Sequence, residues 1–472
     1  MTRRTWVRLD NASNIFLAAR TDTDPKVFRI SAELDHEVDA DRLQQALDLT
    51  YDRYRLYHAV LRSGIFWYYL QDSDLRPVVT GDDRFTCAPI YQPDRRTLLF
   101  RVMHHRQRVI LEIFHALSDG TGALWFLSDL VAAYIRLGRH GEGSGSPAVE
   151  MPPEPTHELT TDSFAHYFRR HRWRRRDRDD DTDKAIDDDS AFVAAASSAV
   201  PTVEEVKPPS PRRFTDIVRG PRGWQKVHRV RGTRTPDNRP RLVELTVSTP
   251  ELLALARAEG VSLTMYLTAV FFEAIRRSSG DLGTSRTMVA SVPVNLRQFF
   301  PSTSARNFFA TIRVAHTFGE GADDLGSMAR ELDRQFRPEA TPDALEQRLR
   351  RLIHFERMVV LRIVPRPLKD LILGWLNLAS NRGLTVAVSN LGRVTLPEVA
   401  DPHVRRMLFH VSAVRPQFCA MSHGDQLTIS FTSPFVETDH VREFARLLTQ
   451  QGIAVTVATT RVTEDELAMS TR

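Results

Sequence analysis

Ile110-Leu111-Glu112-Ile113-Phe114-His115-Ala116-Leu117-Ser118-Asp119-Gly120-Thr121-Gly122 reads as a buried strand ending in a histidine, then a short turn, then the start of a helix. The run to Phe114 is apolar apart from Glu112, as expected of a strand covered on both faces. Asp119 is an N-cap residue type, and Gly120 suits a turn where a side chain would clash. A histidine at the end of a rigid strand can be held in one orientation and aimed into a cleft. Its neutral imidazole accepts a proton from an alcohol, thiol or amine near neutral pH. The spacing alone leaves two readings open: a general base, or a core histidine beside a capped helix.

Outward from this stretch, strands and helices recur. Upstream, Phe28, Ile30, Ala32 and Leu34 alternate with Arg29, Ser31 and Glu33, which predicts a half-buried strand. Asp39 then caps a helix with Leu43, Ala46, Leu47 and Thr50 on one face. The aromatic run Ile65-Phe66-Trp67-Tyr68-Tyr69-Leu70 is strand-like. Strands are also expected over Thr97 to Met103 and Arg108 to Phe114, and a helix from about Gly122.

After Gly138 the composition changes. Gly, Ser and Pro give way to Arg169-Arg170-His171-Arg172-Trp173-Arg174-Arg175-Arg176 and then an Asp-rich run to Asp189. Such a segment buries too little apolar surface to fold alone and reads as a solvated, disordered linker, with a short helix over Ser163 to Phe168. Order returns near Phe214. Leu242 to Val247, Thr287 to Val294, Ala310 to His316, Thr385 to Ser389, Leu427 to Thr432 and Ile453 to Thr459 read as strands, interleaved with helices. The prediction is an α/β (α+β) chain of two lobes: 1–138 with the histidine stretch, a charged linker over 139–213, and a second lobe over 214–472. The length of 472 residues agrees with more than one core.

The bulk numbers exclude several classes. A net charge of +5 over this length is a weak signal for nucleic acid, and no recognition-helix or zinc-finger pattern appears. A basic patch can still serve an anionic substrate such as CoA. Cys87 and Cys419 stand far apart and read as reduced thiols; no metal-ligand spacing is found, and His104 and His105 read as a polar turn. The N-terminus lacks a secretory apolar core and no run is long enough to span a bilayer, so a cytoplasmic location is expected. The nearest apolar run, Leu371 to Ala379, follows Arg362, Arg366, Lys369 and Asp370. It reads first as an amphipathic helix covering a core and second as a peripheral membrane contact. No Gly-x-Ser-x-Gly elbow is present, which leaves a serine-hydrolase mechanism without support.

His115-x-x-x-Asp119-Gly120 on a strand-to-helix junction resembles the signature of the chloramphenicol acetyltransferase-like superfamily, which includes alcohol acetyltransferases, plant acyltransferases and peptide-synthetase condensation domains. The bacterial alcohol acetyltransferase-like group is the more similar branch. Further stretches that resemble it run in order through both lobes: Arg8-Leu9-Asp10-Asn11-Ala12, Gly64 to Leu70, Val292-Pro293-Val294-Asn295-Leu296-Arg297, Arg306-Asn307-Phe308-Phe309 and Ser389-Asn390-Leu391-Gly392. The Asp-Phe-Gly-Trp-Gly sequence of the plant branch is absent.

The resemblance implies two chloramphenicol acetyltransferase-like lobes related by a pseudo-two-fold, with a tunnel between them. Acyl-CoA is the implied co-substrate and a hydroxyl-bearing small molecule or lipid the implied acceptor, with His115 as catalytic base. Asp119 and Gly120 become structural supports, and Arg297 either pairs with Asp119 across the lobes or is a surface strand-end charge. Ser389 or Asn390 becomes an oxyanion donor, although Ser-Asn-Leu-Gly also reads as a plain turn. Two further functions stay open: amide or ester formation from a carrier-protein thioester, and a non-catalytic ligand-binding role.

Overall fold

The computed structural model describes residues 6–9, 11–93, 95–140, 226–235, 238–356 and 366–459. The charged linker beyond His140, with its expected helix over Ser163 to Phe168, lies outside the described residues.

The first half contains β1 (Trp6–Arg8), α1 (Asn11–Ala18), β2 (Val27–Leu34), α2 (Ala40–Arg53), β3 (Ala59–Ser63), β4 (Tyr68–Asp72), β5 (Thr80–Gly81), β6 (Phe100–His105), β7 (Arg108–Phe114) and α3 (Gly120–His140). The second half contains β8 (Arg241–Ser248), α4 (Thr249–Ala258), α5 (Leu263–Ser279), β9 (Thr287–Asn295), β10 (Phe309–Thr317), α6 (Leu325–Glu339), α7 (Pro342–Glu356) and α8 (Arg366–Arg382). It closes with β11 (Val386–Arg393), β12 (Val404–Val411), β13 (Gln417–His423), β14 (Gln426–Ser433), α9 (Asp439–Gln450) and β15 (Thr456–Thr459).

Two hydrophobic cores form. In the first, α2 and α3 pack on a sheet ordered β12-β2-β7-β6-β5. In the second, α5 is buried along most of its length against a sheet ordered β10-β9-β11-β13-β14-β8-β15. The cap of α2 is Asp39, whose side chain accepts from the Arg42 amide, and the helix buries Leu43, Ala46, Leu47 and Thr50.

The cores are not divided by a single point in the sequence. The chain leaves the larger sheet after β11, adds β12 antiparallel to β2 in the smaller sheet, and returns as β13. Val394, Leu396, Val404, Met407 and Phe409 thereby join the first core. A boundary at 214 assigns this clasp to the second lobe, although it completes the sheet of the first.

The faces between the sheets carry ions that the alternation of β2 did not foretell. β2 is buried on both faces, and Arg29 is 6% exposed. Its guanidinium donates to Glu112 at 2.7 Å and with both outer nitrogens to Asp82. Arg108 of β7 likewise donates to Glu244 of β8 at 2.9 and 2.8 Å and to Glu33 of β2 at 2.9 Å. Arg406 of β12 donates to the same Glu33. Buried charges survive because each is paired. The Glu112 group also anchors β7 three residues before His115.

The aromatic run at Ile65 divides. Gly64 to Trp67 form the turn between β3 and β4, closed by the Gly64 amide donating to the Trp67 carbonyl at 2.8 Å, and the strand begins only at Tyr68.

Candidate active site

His115 is the residue after β7. Its amide donates to the Lys26 carbonyl at 2.8 Å and so continues the β2–β7 ladder by one step. Three aromatic rings hold the imidazole. Phe16 of α1 stacks on it at 4.1 Å and 18°, Phe28 meets it edge-on at 4.9 Å, and Phe309 lies at 5.7 Å.

The fourth neighbour is Asn307, from the loop between β9 and β10. Its amide nitrogen donates to the His115 carbonyl at 2.8 Å and to Ser13 Oγ at 3.0 Å. Ser13 in turn donates to the Ala116 carbonyl at 2.8 Å. With the nitrogen so engaged, Asn307 Oδ1 is an acceptor, and it stands 3.2 Å from His115 Nδ1. This assignment places the ring proton on Nδ1 and leaves the lone pair on Nε2. Burial pushes the imidazole pKa below its ordinary value of 6.5, against the opposing pull of its own backbone carbonyl and of Asp119. The ring is therefore a neutral base at neutral pH.

The turn after His115 is locked by the same loop. Asp119 caps α3, with Oδ1 accepting from the Gly122 amide at 2.9 Å. Its other oxygen accepts from Arg297 Nη1 at 2.7 Å and from the Phe308 amide at 2.8 Å. Both ionic side chains are nearly sealed, at 6% and 7% exposure. The second outer nitrogen of Arg297 donates to the Ser304 and Arg306 carbonyls, and its guanidinium lies 5.3 Å from the Trp125 ring. Asn295 accepts from the Arg297 amide and donates to Thr121, which ties the end of β9 to the start of α3. Ser118 donates to the Ala305 carbonyl at 2.5 Å. A Cβ on Gly122 would come within 2.3 Å of that carbonyl, so the close approach of α3 to the loop requires glycine there.

His115, Asp119, Gly120 and Arg297 thus converge where the loop of the larger sheet meets the histidine turn of the smaller one. Gly120 faces Leu391, at whose methyl an added Cβ would come to 2.8 Å. Ser389 and Asn390 precede that leucine in β11. Ser389 is a ladder position opposite Cys419. The Asn390 amide donates to Thr264 at 3.0 Å, and its oxygen accepts from the Gly392 amide. The Asn390 side chain is therefore committed to its own strand and to α5.

Sequence reasoning gave no role to Asn307 or Ser13. Asn307 stands inside the quoted stretch Arg306-Asn307-Phe308-Phe309, which was the available signal.

No family model matches the chain, and no curated protein does. Solved structures do resemble it over nearly its whole length. Polyketide synthase associated protein 5 from Mycobacterium tuberculosis aligns with a TM-score of 0.55 at 14% identity, covering 94% of this chain and 96% of that one. The trichothecene 15-O-acetyltransferase TRI3 from Fusarium sporotrichioides aligns with a TM-score of 0.55 at 11% identity, covering 95% and 94%. A substituted starter condensation domain of rhizomide synthetase, in complex with C8-CoA and Leu-SNAC, aligns with a TM-score of 0.55 at 13% identity, covering 95% and 94%. The chain has the mixed α/β, two-lobed fold of these chloramphenicol acetyltransferase-like and condensation-type proteins. At such identities the likeness speaks of fold alone.

Proposed function

We propose that this chain is an O-acyltransferase that moves an acetyl or longer acyl group from CoA to the hydroxyl of an alcohol or lipid-like acceptor. The observation that carries the reading is the contact of His115 Nδ1 with Asn307 Oδ1 at 3.2 Å, which leaves Nε2 as the basic nitrogen. In the reaction, Nε2 takes the acceptor's hydroxyl proton as the oxygen attacks the thioester carbonyl. The tetrahedral oxyanion collapses, the C–S bond breaks, and the departing CoA thiolate recovers the proton from Nε2. Ser389 and the backbone of Asn390 are the proposed oxyanion donors. Among the solved structures of this fold, one is a 15-O-acetyltransferase and another holds C8-CoA, which supports the donor and the reaction class.

Arg415 is the proposed contact for the phosphates of the donor. Burial lowers the pKa of Arg415 to about 10, Asp24 opposes the shift, and repulsion from Arg313 and Arg229 adds to it. Burial and Arg348 lower Arg313 in the same way. Asp24 already accepts from Ser412 at 2.9 Å and pairs with Lys26. A polyanion entering this region relieves the repulsion among the guanidinium groups. Arg415→Glu is expected to raise the KM for acyl-CoA by about 10–100-fold, the worth of one charge-assisted hydrogen bond. The kcat/KM for an acyl-pantetheine thioester, which lacks the nucleotide phosphates, is expected to stay unchanged. Equal losses on both donors would remove the nucleotide from this region. A chain that acylates from carrier protein but not from CoA would favour the condensation-type reading.

The pH dependence follows from the half-buried ring. The base must be neutral, and burial disfavours its protonated form. As pH falls, kcat/KM is expected to stay flat through the ordinary histidine value of 6.5 and to decline only below it. Asn307→Asp places a carboxylate beside Nδ1, favours the imidazolium and is expected to move this acid limb upward. An unmoved limb in a folded variant would detach the limb from His115.

A further inference from the structure

The helix α8 faces the wrong way for a core helix. Leu368, Leu371, Ile372, Trp375 and Leu378 follow the spacing of one helical face, and their exposures are 49%, 69%, 40%, 68% and 51%. The expectation that this run covers a core is therefore overturned. On the flank of this stripe, three residues after Leu371, stands Gly374, where an added Cβ would lie 3.3 Å from the Ala18 carbonyl, so the helix rests on α1 through its smallest residue.

The turn between β3 and β4 extends the apolar surface. Ile65 and Phe66 at its tip are 76% and 42% exposed, and Trp6 of neighbouring β1 is 68% exposed. Three contacts bind this hairpin to α8. Lys369 Nζ lies 3.5 Å from the Trp67 ring centre and donates to the Phe66 carbonyl at 3.3 Å, and the Tyr68 hydroxyl donates to Asp370 at 2.9 Å. Charges flank the apolar stripe rather than interrupt it. Lys369, held against Trp67, stands in the first turn of the helix and Arg382 in its last, while Asp370 accepts from Tyr68.

We propose that α8 and the β3–β4 turn form one surface that lies on an anionic lipid bilayer. An exposed aliphatic and tryptophan stripe between basic ends has the chemistry of a helix lying in the interface plane. The cations at its ends complement anionic headgroups, which favours a membrane over an uncharged protein groove. No single described helix is long and apolar enough to cross a bilayer, so the contact is one of surface. The surface leads toward the candidate site, because α8 packs on α1 and α1 supplies Phe16 to the His115 ring. In its use, delivery of a lipid-like acceptor, the proposal rests on the acyl-transfer reading; in its physics it does not.

The test is co-sedimentation of the full chain with vesicles of phosphatidylcholine containing anionic phosphatidylglycerol, compared with vesicles of phosphatidylcholine alone. The expected result is binding that favours the anionic vesicles. The paired variant Leu371→Ser with Trp375→Ser is expected to weaken it by about tenfold or more, with an unchanged thermal transition. Ile65→Ser with Phe66→Ser gives the same reading from the other segment, should the helix variant fail to fold. Absence of binding by the native chain, or equal binding by folded variants, overturns the proposal. A concentration-dependent dimer that both variants dissociate assigns the face to a second copy and overturns it too. CoA release with a water-soluble acceptor is measured in parallel; its failure speaks against acyl transfer and leaves the vesicle result standing.

Discussion

Replacing His115 with alanine is expected to lower acyl transfer to the acceptor by about 10²–10⁴-fold, the usual contribution of a positioned general base. The size of the effect follows from how completely the ring is prepared. Its plane is fixed by Phe16 and Phe28, its Nδ1 by Asn307, and its backbone by the Lys26 carbonyl. With the ring so held, Nε2 is the nitrogen left to accept a proton, and alanine supplies no substitute base. Alanine also leaves space among the three aromatic rings, and collapse of the pocket is a second cause of lost activity. His115→Gln retains most of the volume without a basic nitrogen and is expected to lose activity to a similar extent. Thermal unfolding of both variants, read beside steady-state rates, separates the two causes. Unchanged turnover in a folded His115→Ala protein would show that another group is the base.

Arg297→Ala is expected to act on the fold first and on the reaction through it. Removing the guanidinium takes the cation from the carboxylate of Asp119, which is 5% exposed, and a donor from the Ser304 and Arg306 carbonyls. Breaking a sealed ion pair by deleting one partner costs about 3–5 kcal/mol. The loss should lower the unfolding midpoint in denaturant and the thermal transition together, and turnover should fall because the loop bearing Asn307 is held by the same bonds. Arg297→Lys keeps the charge without the planar fork and is expected to fall between the two. A stable Arg297→Ala protein with normal kcat would mean that the Phe308 and Gly122 amides alone suffice to hold Asp119.

These two positions also show how far the sequence could be read. The strand, the histidine and the capped helix follow from residue type and spacing over thirteen residues, because the apolar run and the Asp119–Gly122 cap lie within that stretch. Arg297 was open between a surface charge and a partner of Asp119, since the contact joins residues 178 apart. Asn307 was illegible for the same reason: its role exists only once the loop between β9 and β10 meets the histidine turn. Elsewhere, burial on both faces erased the signal. β13 is buried along its whole length and shows no alternation. β12 carries Arg406 and His410 among its buried and half-buried positions, so its polar residues do not mark a solvent face. Its place in the other lobe's sheet could not be foreseen from a contiguous division of the chain. For α8 the periodicity revealed an apolar stripe but not its direction, and the small residue Gly374 decides which side meets α1.

The central claim, that this chain moves an acyl group from CoA to a hydroxyl through His115, is tested most directly by incubating the purified full chain with a matrix of acyl-CoA donors and alcohol acceptors and detecting products by mass spectrometry. The expected result is an ester and an equal amount of free CoA in at least one pairing, dependent on the acceptor and abolished in folded His115→Ala. No ester in any pairing, or an ester formed equally well by the folded alanine variant, would contradict it.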